Sequence, residues 1–141
     1  MFDIFENSDC WFLESFKING NQLTIGIAEG IISSAKEDVR IDKNTKIDGC
    51  SAIVVNEESK KLEIRFFNVL SHQLTDESYA APESGQIEGK VLCLHKDSSY
   101  LKHVLENSLI SHLIEGPVFH YSLNLADDII DIITTEKPEI R

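Results

Sequence analysis

The sequence predicts an α+β fold in a single domain, residues 1–141: a mostly antiparallel β-sheet of about seven or eight strands with one main helix at about 98–114. Three observations carry this expectation. Apolar and polar residues alternate at period two in run after run, as half-buried strands require. Asn-Gly, Asp-Gly and short polar tips separate the runs, leaving too few residues for helical crossovers between parallel strands. Only one segment carries apolar residues at spacings of three and four.

The first hairpin joins 11–18 to 21–28. Trp, Phe and Ile crowd the first arm, and Leu23, Ile25 and Ile27 alternate with Gln22, Thr24 and Gly26 in the second. Asn19-Gly20 between them suits a type I′ turn, which needs two positive φ angles. Gly26 in mid-strand marks a candidate bulge. Residues 31–44 are charged and weakly periodic, so they read as a connection or an edge strand, and Asp48-Gly49 reads as a turn. Residues 50–55 and 62–69 form a second hairpin candidate around the polar tip 56–61, and 70–74 either continues that strand or begins another after a bulge. Residues 76–88, with Pro82, Gly85 and several acids, are the longest loop. A strand follows at 90–96. The helix is capped by Asp97 or Ser98 and repeats through Tyr100, Leu101, Val104, Leu105 and Ser108 until Gly116-Pro117 stops it. Strands at 118–125 and 129–135 flank the turn Ala126-Asp127-Asp128, and order is expected to end at 136–138.

Composition bounds the function. Thirteen Lys and Arg against 24 Asp and Glu give a formal charge of −11, which repels nucleic acid and anionic lipid and attracts a basic surface. The first residues lack the basic start and apolar run of a signal peptide, and no apolar run approaches the roughly twenty residues that span a bilayer. A cytoplasmic address follows. Cys10, Cys50 and Cys93 are odd in number, widely spaced and outside any Cys-x-x-Cys, so reduced packing cysteines are expected.

Catalytic signatures are missing. Of five histidines, His112 stands three residues from Glu115, but no further ligands at metal spacing accompany them, and neither a metal nor a cofactor is expected. Cys93 and His95 share a strand face with Val91, which favours packing over a thiol–base pair. The serines lack a nucleophile elbow and the glycines form no phosphate cradle. Asp131 interrupts the run Ile129-Ile130-Asp131-Ile132-Ile133, so it either breaks an apolar patch or bonds a partner such as His120 or Tyr121 across the hairpin.

The stretch His120-Tyr121-Ser122-Leu123, then 128–133, then 136–140, together with 70–79 and the opening 11–30, resembles small acidic bacterial immunity proteins. That resemblance implies a role: neutralising a cognate, basic protein toxin in a toxin–immunity system, without catalysis. Charge agrees with the role, and loops hold charge in solvent at little cost. The expected partner-binding residues are therefore Asp76, Glu77, Tyr79, Glu83 and Glu88 in the long loop, with Asp127 and Asp128 in the last turn. Two alternatives remain open. One is a small enzyme or ligand-binding domain with a pocket between helix and sheet, where Cys93, His95 and His120 are the residues of interest. The other is an acidic adaptor or nucleic-acid mimic.

Overall fold

The structure is a computed structural model that describes residues 3–5, 8, 10–40 and 46–141, without the side chains of 3, 33–40 and 46–52. Eleven strands lie among the described residues: β1 Trp11–Asn19, β2 Gln22–Glu29, β3 Ile31–Arg40, β4 Lys46–Val54, β5 Lys61–Phe66, β6 Val69–Asp76, β7 Gln86–Glu88, β8 Leu92–Lys96, β9 Phe119–Asn124, β10 Asp128–Thr134 and β11 Glu139–Ile140. They form three antiparallel sheets, ordered β1-β2-β5-β11, β6-β10-β9-β8-β7 and β3-β4. The helical segment is α1 Ser99–Glu106 and α2 Ile110–Leu113.

The two larger sheets pack as a sandwich. Leu23, Ile25, Ile27, Ile64 and Phe66 of the first meet Leu92, Tyr121, Leu123, Ile130 and Ile132 of the second in one buried cluster. Phe66 and Tyr121 bridge the layers with ring centroids 6.0 Å apart. Trp11 closes one end against Phe5, edge to face at 5.6 Å, and donates its indole N–H to Ser8 O. Alternation alone accounts for this core, because each inward residue is separated from the next by one that faces outward.

Several expectations need correction. The first hairpin turns on Gly20-Asn21, since Asn19 pairs with Gln22, and only Gly20 has a positive φ, +62°. That is the type II′ pattern, with glycine at the first central position. The bulge falls opposite Gly26, between Leu13 and Ser15, because Gly26 leaves room for the Ser15 side chain. Residues 31–40 and 46–54 pair with each other as β3 and β4, so the expected 50–55/62–69 hairpin does not form and Asp48-Gly49 lies within a strand. Residues 41–45 lie outside the description. Instead, β5 crosses to pair with β2 and β11. Asn68, at φ +50°, then redirects the chain so that β6 joins the other sheet.

The single helix is interrupted at 107–109. Asn107 Nδ2 donates to His103 O at 2.8 Å and Ser108 Oγ accepts from Ile110 N. Side chains that bond nearby backbone in this way end one helix and begin another. The terminal segment is ordered: β11 pairs Glu139 and Ile140 with Arg65 and Ile64, and Arg141 exchanges both backbone bonds with Glu63.

Candidate functional site

Period two sends His95 (β8), His120 and Ser122 (β9), Asp131 (β10) and Gln73 (β6) to the face of the second sheet away from the core. There α1 and the 77–90 segment partly cover them. Polar groups taken out of water this way must find partners. They do so as a chain. Ser98, the N-cap of α1, accepts from Leu101 N at 3.1 Å, and its Oγ lies 2.6 Å from His120 Nδ1. His120 Nε2 lies 2.7 Å from Asp131 Oδ1, while Gln73 Nε2 donates to Asp131 Oδ2 at 3.1 Å. A carboxylate only accepts, so Nε2 carries the proton and the Ser98 hydroxyl donates to Nδ1. Asp131 is thus bonded by His120 across the β9–β10 hairpin, whereas Tyr121 faces the core.

His95 stacks on His120 with centroids 4.1 Å apart and planes 13° apart, and the Tyr100 ring edge meets His120 at 5.1 Å. His95 Nε2 lies 2.7 Å from Ser122 Oγ, but its buried Nδ1 has no hydrogen-bond partner among the described residues. Burial pulls the His95 pKa below the ordinary imidazole range, and neighbouring His120 adds to this while Asp131 and Glu83 oppose it.

The Ser98–His120–Asp131 order resembles a hydrolytic triad, but its orientation is reversed. Ser98 is fully buried under the helix start and the carboxylate is the end nearest solvent, so no substrate reaches the hydroxyl. Cys93 does not have the surroundings of an activated thiol. Burial pushes its thiol up, against weaker help from Ser122 and Asn124, and its Sγ is bonded to Lys90 O.

Between this face, α1 and the 79–83 segment opens a cavity of about 650 Å³, lined by His95, Ser122 and Asp131 on the sheet side and Tyr79, Glu83 and Tyr100 opposite. Its volume is that of a small-molecule pocket.

The expected partner-binding residues divide. Asp76 and Asp128 are cross-strand partners, and Glu77 N donates to Asp127 O at 3.0 Å, so two segments about fifty residues apart make one acidic edge. Tyr79 stands beside it, 83% exposed, where the edge meets the cavity. Glu83 does not join them. It turns inward and accepts from Ser99 N, Ser99 Oγ and Tyr100 N at 2.8, 2.6 and 3.2 Å, anchoring the loop to the start of α1. Burial would raise its carboxyl, but these bonds and the one from Ser84 outweigh it and bring the pKa down to about 2. Glu88 is also separate, on the far edge strand β7 opposite Leu94.

Sequence reasoning singled out Asp131, His95 and His120 and offered His120 as one of two partners for Asp131, but it missed the stacking of His95 on His120 and the parts of Gln73 and Ser122. The usable signal was the polar series His120, Ser122 and Asn124 alternating within an apolar strand. Compared with known protein families, curated proteins and solved structures, the chain matches none.

Proposed function

We propose that this chain is a non-catalytic inhibitory binding protein of the immunity type, which neutralises a cognate, basic bacterial toxin by covering its active or binding surface. The carrying observation is the acidic edge of Asp76, Glu77, Asp127 and Asp128 with Tyr79 exposed beside it. Exposed carboxylates steer a basic surface to encounter, and an aromatic anchor next to them supplies apolar contact area. Net charge of −11 extends the same field over the whole molecule. The buried serine and the protonated, bonded Cys93 support a role without catalysis.

Co-expression with the product of the neighbouring gene tests the reading. A complex is expected whose association rate falls steeply with salt, and falls at least about tenfold at low salt when the four acids become amides. A complex that forms at the original rate with all four neutralised and Tyr79 truncated would sink it. The cavity favours a second reading, a ligand-binding domain with its site between helix and sheet. Capture of a small molecule in place of the neighbouring protein would favour that one.

A further inference from the structure

Three neighbouring strands bring His95, His120 and Asp131 together, with one donor atom from each within 4.8 Å of the other two; His95 and Asp131 line the cavity, and His120 lies fully buried behind them. The geometry points to a site for a single divalent transition-metal ion of the zinc class, held by two imidazoles and one carboxylate, with its remaining coordination positions facing the cavity. This goes beyond the partner-binding reading and does not depend on it.

The donor set selects the ion. Imidazole nitrogens with one carboxylate suit zinc, cobalt, nickel or iron, whereas calcium and magnesium demand oxygen donors. Metal bonds of about 2.0–2.1 Å separate tetrahedral ligands by about 3.3 Å, so the His120–Asp131 pair, now 2.7 Å apart, opens by about 0.6 Å and His95 closes by roughly 1.5 Å at most. Side-chain rotation covers that distance.

The surroundings are those that support metal ligands. Each imidazole has a serine at one nitrogen, Ser98 for His120 and Ser122 for His95, and Gln73 holds the second oxygen of Asp131. Outer partners of this kind fix ring orientation and leave the other donor for the ion. Ser98 Oγ accepts one bond from Leu101 N and keeps a second lone pair for His120 Nδ1–H, which lets Nε2 turn from proton donor to metal ligand.

His95 is the movable ligand. Its ring lies parallel to that of His120, so the nitrogen lone pairs run side by side and do not meet at one point. Taking up an ion turns His95 out of the stack. Among the described residues a single hydrogen bond, to Ser122, holds its side chain, and its Nδ1 is buried with no partner. Native proteins seldom leave such an atom unmatched unless a water, an ion or a ligand meets it.

Chelator-dialysed protein titrated with Co²⁺, followed by visible absorption, and with Zn²⁺, followed by calorimetry, tests the site. One equivalent is expected, with the cobalt bands of a nitrogen- and oxygen-ligated site, displaced by Zn²⁺. Asp131→Asn and His95→Gln should each weaken binding at least about tenfold, and Gln73→Leu by about tenfold. His112→Ala, on exposed α2, should leave it unchanged. Circular dichroism shows which variants fold; Asp131→Asn keeps the shape and the acceptor oxygen of the native side chain. Absence of stoichiometric binding to the wild type overturns the proposal. Binding that survives in folded Asp131→Asn and His95→Gln, or disappears in His112→Ala, does so too.

Discussion

Leu92, Leu123 and Ile132 point into the core from the same strands that send His95, Ser122 and Asp131 to the opposite face. Both sets are largely removed from water, one by the first sheet and the other by α1 and its loop. The inner set is held by apolar burial and close packing, which are non-directional and tolerate exchange of similar shapes. The outer set is held by directional bonds, each of which has to be made because the alternative is a desolvated polar atom. One face therefore specifies that the sheets pack. The other specifies how the helix sits on the sheet, since Ser98 at the start of α1 bonds a histidine of β9.

Substitutions on neighbouring positions separate these two modes. The largest effect is expected in the core: Ile132→Ala, at a fully buried site, should lose about 3–4 kcal/mol in denaturant unfolding. A loss below about 1 kcal/mol would mean that the sheets pack loosely. On the outer face, His120→Ala strands both the Ser98 hydroxyl and the Asp131 carboxylate, and should cost about 2–3 kcal/mol. Its mark is also local, with faster amide exchange across α1 than across β2. Uniform protection loss would contradict a bond that ties helix to sheet.

Glu83→Gln comes next, at about 1–2 kcal/mol, because a neutral amide accepts the Ser99 and Tyr100 bonds less strongly at a helix start. The pH dependence has a definite sign. The folded carboxyl, at about 2, lies below its ordinary value of 4.5, so Glu83 stabilises the protein fully above about pH 4.5. That contribution is lost as pH falls from about 4.5 towards 2. Unfolding free energies of wild type and Glu83→Gln should therefore converge as pH falls from about 4.5 to about 2. A constant gap would show that the bonds, and not the ionisation, carry the effect.

The smallest stability change is expected at the acidic edge. Asp127→Asn with Asp128→Asn should move unfolding by no more than about 0.5 kcal/mol, since Asp127 is exposed in the turn and Asp128, half-buried at the start of β10, faces another acid, Asp76. The same pair should slow association with a basic partner, which is where exposed charge acts. A stability loss above about 1 kcal/mol would place these acids in the fold's own support.

Local patterns in the chain carried much of this. Leu23, Ile25, Ile27, Leu62, Ile64 and Phe66 could be assigned to an inner face because strand side chains alternate whatever the partner strand is. Ser98 could be read as a helix cap because capping is settled within four residues. Asp127 was legible as a solvent-facing turn acid for the same reason, and Gly20 announced its hairpin although the turn sits one residue later than Asn-Gly suggests. Pairing was another matter. That β3 pairs with β4, that β5 lies between β2 and β11, and that β6 leaves for the second sheet all depend on contacts between distant segments. The cluster is tertiary for the same reason. Its three donors stand 25 and 11 residues apart along the chain (His95 to His120, then His120 to Asp131), and only strand order and register make them neighbours. Glu83 looked like a surface acid by composition. Only the fold of its loop brought it to three donors at the start of α1, because a carboxylate goes wherever unpaired N–H groups are held still for it.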